Sequence, residues 1–237
     1  MKVIVSGKGK MGQALKETAK DRREIEILSM VGRGDSLSSL LEANIIVDFS
    51  RPERALQMAD LAHERGIPFI TGTTGFSPRE LEALKIIGED IPVLYSANFS
   101  LGIALMEKTL AMLRESLLGK WDIEMVEIHH GQKVDAPSGT AYRLLEALDP
   151  EGEFARLFGR QGVTGGRERK EIGVHVLRGG TVSGEHQVHF LGNCETLCVT
   201  HRAENSKVFA NGAWLAAEKM QGKEAGFYSL SQLLFSF

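Results

Sequence analysis

The first hundred residues alternate short apolar, β-branched runs with amphipathic stretches, and this alternation constrains the fold more than any other feature. The apolar runs are hydrophobic at nearly every position, which is typical of parallel strands covered by helices on both faces. We predict strands over 3–5, 25–31, 45–49, 67–71 and 93–96, and helices over 11–20, 52–65 and 78–87. The pattern therefore predicts a doubly wound α/β domain with a parallel sheet.

The pattern changes after residue 100. Helical periodicity covers 101–118, 140–147 and 208–219, and strand-like runs cover 121–128, 172–177, 187–191 and 196–201. Three of these strands follow one another through glycine-containing links, which favours a mixed or antiparallel sheet. We predict a second, α+β domain over 101–207, with 1–100 and the C-terminal segment 208–237 forming the first domain.

Composition excludes several classes of protein. The 237 residues carry 28 Lys and Arg against 31 Asp and Glu, so there is no cationic excess to hold a nucleic acid. We expect no membrane span and no signal peptide, because no apolar run is long enough and the chain opens on a predicted strand. Cys194 and Cys198 lack CxxC spacing and are expected to be reduced thiols in a cytoplasmic protein.

A glycine-rich loop, Gly7-Lys8-Gly9-Lys10-Met11-Gly12, links the first predicted strand to the first helix. A dinucleotide requires this arrangement, because its pyrophosphate approaches bare backbone and the N-terminus of a helix. An ordinary strand-to-helix turn is the alternative, since GxGxxG alone is a weak signal. Its position in the first βα unit favours a Rossmann-type cofactor domain.

The end of the second strand bears on the choice of cofactor. An acidic residue that would hold the ribose hydroxyls of NADH is missing there, and Arg33 follows directly. Together with Lys8 and Lys10, Arg33 favours the 2′-phosphate of NADPH. Alternatively, Arg33 is solvated and Asp35 replaces the missing acid through a longer loop, so the cofactor is predicted as NADPH, NADH or both.

Two further loops follow predicted strands, at the sheet edge where open α/β sheets bind ligands. They are Thr71–Gly75 and Ser96–Ser100, whose small residues leave room for a nicotinamide ring. Either loop alone is also explained as a helix N-cap, with Ser77 or Ser100 as the capping residue.

The stretch from Glu127 to Ala141, EIHHGQKVDAPSGTA, runs from a strand end to a helix start. Histidines titrate near neutral pH and can move a proton, and Lys133 adds a positive charge. With the amides of Gly139 and Thr140 at the helix start, these groups suit a small dianionic substrate. A metal site at His129 and His130 is the alternative, but adjacent strand residues point to opposite faces, so no metal is predicted.

This stretch resembles the E-x-H-H-x-x-K-x-D-A-P-S-G-T-A signature of the dihydrodipicolinate reductase family. The resemblance extends over nearly the whole chain, through VDFS, GTTG, ANFS, GEH, THRA and FANGA. It departs from the family pattern in the first loop, where Ser6 replaces a glycine, and after the second strand, where only Arg33 matches.

The resemblance implies a role for each matching residue. His129 would donate or accept a proton, Lys133 would be a second proton donor, and His130, Gly139 and Thr140 would bind substrate carboxylates. Cofactor-binding residues would be Ser6, Gly7, Lys8, Gly9, Lys10, Met11, Arg33, Gly72, Thr73, Thr74, Ser96, Ala97, Asn98 and Phe99.

The activity implied is NAD(P)H-dependent reduction of 4-hydroxy-tetrahydrodipicolinate in the diaminopimelate route to lysine, by a cytoplasmic homotetramer assembled through the second domain. Two other hypotheses are an aspartate-dehydrogenase-like reductase and a non-catalytic NADP(H) sensor. His186, His189 and Cys194 could be imagined as metal ligands, although a structural or subunit-contact role is favoured.

Overall fold

A computed structural model describes residues 1–35 and 42–235. Residues 36–41 and 236–237 belong to the ranges 1–100 and 208–237 predicted for the first domain, and they lie outside the described residues. Contacts between Cα atoms divide the chain into two compact units, 1–100 with 206–237, and 101–205.

The first unit is a parallel α/β sheet with helices. Its elements are β1 (Lys2–Ser6), α1 (Lys10–Ala19), β2 (Glu26–Val31), β3 (Ile45–Asp48), α2 (Pro52–Glu64), β4 (Phe69–Thr71), α3 (Pro78–Ile87), β5 (Pro92–Tyr95), α6 (Lys207–Met220), β11 (Gly226–Tyr228) and α7 (Leu230–Leu234). Among the described residues the sheet has six strands in the order β11-β5-β4-β3-β1-β2. Every pairing is parallel, which confirms the predicted Rossmann-type sheet.

The core of this unit follows from the apolar strands. All four residues of β3 are buried, as expected for a central strand with both faces covered. Helix α6 packs on α1, where the fully buried indole of Trp214 donates a 2.9 Å hydrogen bond to the Thr18 hydroxyl. The C-terminal segment is thus part of the same core as the first strands.

The second unit contains α4 (Leu101–Leu117), β6 (Asp122–His129), α5 (Gly139–Leu148), β7 (Ala155–Phe158), β8 (Glu171–Arg178), β9 (Glu185–Gly192) and β10 (Glu195–Arg202). Within the described residues its sheet has five strands, ordered β10-β9-β6-β8-β7. Strand β6 pairs antiparallel with β9 and parallel with β8, which confirms the predicted mixed sheet.

The two faces of this sheet differ. Ile123 and Met125 of β6 are buried with side chains of α4 and α5 in one apolar cluster. Glu124, Val126 and Ile128 alternate with them and are only partly buried. Side chains at these alternate positions therefore lie on a second face, called the open face below.

Three short elements, β7, β11 and α7, were not predicted. Strand β7 lies at a sheet edge, and its four residues are half-buried or exposed, so its sequence lacks the apolar pattern of a core strand. Strand β11 has only three residues, all half-buried.

In the described part of the chain, no helix has the length and apolar character needed to span a membrane.

Candidate active site

Two glycines let the first loop pass close to the neighbouring backbone. Gly7 has φ +111°, and a Cβ there would overlap the carbonyl oxygen of Phe49. A Cβ at Gly12 would overlap the carbonyl of Gly7, so α1 can approach the loop only without a side chain at that position. Both positions behave as the tight turn and close helix approach of a dinucleotide loop require.

The N-terminus of α1 is left open. Gly9 is its N-cap, no side chain caps the first amides, and the first turn has no acidic residue. A Cβ at Gly9 would meet nothing within 4 Å. Uncapped amides beside free space form a site for an anion such as a pyrophosphate.

A cavity of about 890 Å³ adjoins this loop. Lys8 and Arg33, two of the predicted cofactor-binding residues, line it. Arg51 and Arg54, at the start of α2, also line it, although the sequence did not single them out. Asp35 lies in the same cavity, where its carboxylate accepts hydrogen bonds from Lys8 Nζ at 2.6 Å and the Gly32 amide at 2.9 Å. Asp35, the residue that could replace the missing acid after the second strand, is therefore held by Lys8.

A buried carboxylate organises the loop after β4. Asp48, at the end of β3, is fully buried and accepts hydrogen bonds from the hydroxyls of Thr71 at 2.8 Å and Thr73 at 2.7 Å. The Ser50 hydroxyl donates to its other oxygen. At Gly72, a Cβ would overlap the ring of Phe49. The Gly72–Thr74 loop is thus fixed from the neighbouring strand.

The predicted cofactor residues differ in exposure. Ser6, Gly7, Thr73, Ser96 and Phe99 are buried, whereas Lys8, Gly9, Lys10, Arg33, Thr74 and Ala97 are exposed and Met11, Gly72 and Asn98 are intermediate. The Ser96 hydroxyl donates a 2.6 Å hydrogen bond to the Asn98 carbonyl, and the Phe99 ring packs on Phe49 at 5.3 Å between centroids. The side chains of Ser96 and Phe99 are thus engaged in contacts within the protein.

In the second unit, His129 ends strand β6 and is 8% exposed. Its Nδ1 is buried and lies 3.7 Å from the carboxylate of Glu127, which is fully buried on the same face. Its ring lies edge-on to that of His186, with centroids 5.3 Å apart. Three side chains from β6 and β9 thus form one buried cluster.

The pKa of His129 is lowered to about 4, mainly because burial keeps water from stabilising the imidazolium. The charges of His186, Lys133 and Arg178 contribute to this lowering, whereas the Glu127 carboxylate opposes it. Burial disfavours ionisation of Glu127 itself, but contacts from His186, Ser138 and Arg178 outweigh it and hold the pKa of Glu127 well below its usual range.

The loop after β6 carries the predicted substrate-binding groups. His130 is half-buried, and Lys133 pairs with Asp135, the Nζ atom lying 2.9 Å from one carboxylate oxygen and 2.7 Å from the other. Arg178 of β8 donates hydrogen bonds to Glu127 at 2.8 Å and to the Asp135 carbonyl at 2.6 Å. Arg178, which the sequence did not single out, therefore joins this loop to the buried cluster.

Helix α5 begins beside the same cluster. Its N-cap is Ser138, whose hydroxyl accepts a 3.1 Å hydrogen bond from the Ala141 amide and lies 3.2 Å from His186 Nε2. The Ser138 amide donates to both oxygens of Glu127 at 3.1 Å. Gly139 is exposed, with nothing within 4 Å of where its Cβ would be, and Thr140 is half-buried. The helix start thus has space for an anionic group at Gly139, one of the two predicted positions.

The buried cluster also has the spacing of a metal site. Within the described residues, the ligand atoms of Glu127, His129 and His186 lie within 4.8 Å of one another. The contacts of Glu127 argue against a bound cation. The guanidinium of Arg178 already donates to one carboxylate oxygen, and the Ser138 amide donates to both. The prediction of no metal stays a prediction. The other imagined set does not converge, because His186 lies on the buried face and His189 on the open face.

Comparison with known proteins covers both units. Residues 1–99 match the family model described as "Dihydrodipicolinate reductase, N-terminus", and residues 102–234 match "Dihydrodipicolinate reductase, C-terminus". A 4-hydroxy-tetrahydrodipicolinate reductase from an Exiguobacterium species is 37% identical over 239 residues, covering 98% of this chain and 95% of the relative. The enzyme of the same name from Staphylococcus saprophyticus is 36% identical, covering 98% and 100%.

A solved structure shares the fold. The dipicolinate-bound dihydrodipicolinate reductase from Paenisporosarcina sp. TG-14 superposes with a TM-score of 0.82 at 22% identity, covering 97% of each chain. A DAP dehydrogenase from C. glutamicum reaches a TM-score of 0.57 at 12% identity, covering 100% of this chain and 96% of its own.

Proposed function

Because this chain belongs to the dihydrodipicolinate reductase family, we propose that it reduces 4-hydroxy-tetrahydrodipicolinate to tetrahydrodipicolinate with a nicotinamide cofactor, in the diaminopimelate route to lysine. One observation carries the proposal: the family signature folds into a buried histidine, a loop with Lys133 and the start of helix α5 with its exposed Gly139, all within one unit. The aspartate-dehydrogenase-like alternative is not favoured, since both family models match.

The first unit would hold the cofactor, which supplies a hydride when bound. The amides at the start of α1 and the bare backbone at Gly7 and Gly9 suit the pyrophosphate. The Gly72–Thr74 and Ser96–Phe99 loops would border the nicotinamide, and Asp48 would keep the first of them in place.

The second unit would hold the dicarboxylate substrate. Lys133, His130 and the amides of Gly139 and Thr140 would bind its carboxylates, since preformed donors stabilise anions with little reorganisation. Carboxylates near His129 would raise its pKa from the low value set by burial, which favours its protonation once substrate is bound. His129, with Lys133, would then deliver the proton that accompanies hydride transfer.

Both NADPH and NADH are proposed as cofactors. Lys8, Arg33, Arg51 and Arg54 bring four cationic side chains to one cavity, which suits a 2′-phosphate. Asp35 in the same cavity suits ribose hydroxyls, provided that Lys8 gives up its ion pair.

We also propose that the protein is a cytoplasmic homotetramer. Leu177 and Leu191 are 47% and 38% exposed on the open face, so a second copy could cover apolar surface there. The two cysteines, both free, are compatible with a reducing compartment.

The experiment is a coupled assay with purified protein. Products of dihydrodipicolinate synthase are supplied with NADPH or NADH, and cofactor oxidation and tetrahydrodipicolinate formation are measured. Oxidation that depends on those products supports the proposal. Cofactor binding without oxidation would identify a sensor, and oxidation with oxaloacetate and ammonia instead would identify an aspartate-dehydrogenase-like enzyme.

A further inference from the structure

The buried carboxylate of Glu127 lies directly behind His129. Two residues apart on β6, the side chains share one face of the sheet, and Glu127 Oε2 lies 3.7 Å from His129 Nδ1. Nδ1 is buried and makes no hydrogen bond within the described residues. Protonation at Nδ1 would place an N–H next to this carboxylate, leaving Nε2 as the nitrogen that exchanges a proton with a ligand.

Neighbouring elements fix both side chains. Glu127 pairs across strands with His186 of β9, whose Nε2 lies 3.6 Å from Oε2, and it is bonded by Arg178 of β8 and the Ser138 amide. The His186 ring meets the His129 ring edge-on, and a Cβ at Gly184 would lie 3.1 Å from His129 Nε2. Glu127 is thus held by contacts with His186, Arg178 and Ser138, and the imidazole of His129 lies beside the His186 ring and the backbone of Gly184.

Charges around His129 come from every neighbouring element. The carboxylate of Glu127, on the same strand, favours a positive charge on His129. His186 on β9, Arg178 on β8 and Lys133 in the following loop disfavour it. Burial opposes it as well. Without Glu127, every remaining influence would disfavour the imidazolium.

We propose that Glu127 is a positioning residue for His129: it orients the imidazole through Nδ1 and stabilises its protonated form during proton donation. This inference rests on the proposed function for its kinetic consequences. The alternative is a purely structural role, in which Glu127 only fastens Ser138 and Arg178.

The test compares Glu127→Gln with Glu124→Gln. Glu124 lies on the same strand, also binds arginine and histidine, but belongs to the open face. The pH profile of kcat is measured for both variants and the wild type, with thermal unfolding as a check of folding. Since His129 must be protonated to donate, activity is lost as pH rises through its pKa.

In Glu127→Gln this alkaline limb should move to lower pH by about one unit or more, and kcat at neutral pH should fall at least about tenfold. Glu124→Gln should keep the wild-type limb. A Glu127→Gln protein that folds, with a raised KM but an unmoved limb, would establish the structural role and overturn the inference.

NMR titration of the His129 ring provides a readout independent of turnover. Its pKa should be lower in Glu127→Gln than in the wild type, and Glu127→Asp should restore part of the difference. Equal pKa values in the wild type and Glu127→Gln would overturn the inference. A wild type inactive in the coupled assay would instead refute the proposed function. The titration would still test whether the Glu127 carboxylate raises the pKa of His129.

Discussion

The hydroxyl of Thr73 donates a 2.7 Å hydrogen bond to the buried carboxylate of Asp48, and this bond fastens the loop after β4 to the end of the adjacent strand β3. Because the loop is one of those proposed to border the nicotinamide, the bond links the stability of the sheet edge to cofactor binding.

Asp48→Ala should both destabilise the first unit and weaken cofactor binding. The buried hydroxyls of Thr71 and Thr73 would lose their acceptor, and buried unpaired donors cost about 1–3 kcal/mol each. We expect the free energy of unfolding to fall by about 2 kcal/mol or more, measured by urea titration, with a higher Kd for the cofactor. Asp90→Ala, which removes an exposed ion pair with His63, is the control and should change little.

His129→Ala should reduce turnover far more than cofactor affinity. General acids contribute about 10²–10⁴-fold to rate, and His129 belongs to the unit proposed to hold substrate. Steady-state kinetics and fluorescence titration with cofactor measure the two quantities. His63→Ala, at an exposed position on α2, should retain activity. A folded His129→Ala protein with wild-type turnover would refute the assignment.

Arg33→Gln should weaken NADPH binding by about tenfold and leave NADH binding nearly unchanged, because a 2′-phosphate is bound by charge-assisted hydrogen bonds. Asp35→Asn should act in the opposite direction, lowering the preference for NADH by removing a negative charge from the same cavity. Both predictions are checked by measuring the Kd of each variant for NADPH and for NADH. Arg79→Gln, at an exposed position, is the control. Equal losses for both cofactors would place Arg33 outside the 2′-phosphate site.

Glu124 should make stability depend on acid pH. Burial opposes its ionisation, but Arg160, His175 and Arg167 outweigh burial and lower its pKa to about 2. With an ordinary value of 4.5, its contribution is complete above about pH 4.5 and is lost as pH falls towards 2. Unfolding free energies measured across this range should fall less steeply for Glu124→Gln. Glu82→Gln, in an exposed pair with Lys85, should follow the wild type.

Leu191→Lys on the open face should weaken self-association, because a buried unpaired ammonium is costly at an interface. Light scattering after gel filtration should give a tetramer for the wild type and smaller species for the variant. Ile86→Lys, exposed by 58% on α3 of the first unit, should remain tetrameric. A monomeric wild type would refute the assembly.

Sequence by itself determined the two fold classes and the tight glycine-rich loop after β1, because apolar periodicity and the stereochemistry of glycine act within a few residues. Gly7 and Gly12 could be selected from spacing alone, and the structure gives each a backbone neighbour that excludes a Cβ. Strand β7 was not predicted, because an edge strand with exposed residues lacks apolar periodicity.

Tertiary structure alone decided which residues of other strands surround His129. Glu127 lies opposite His186 and His129 opposite Arg178 only because β9 and β8 pair with β6 in one particular register. Glu127 and Arg178 are 51 positions apart along the chain, and nothing local specifies that register. The stability of the whole sheet fixes it, because a shift of one residue would turn the buried face outward. The signature contains both His129 and Glu127, two residues apart on β6, and strand pairing added His186 and Arg178 around them.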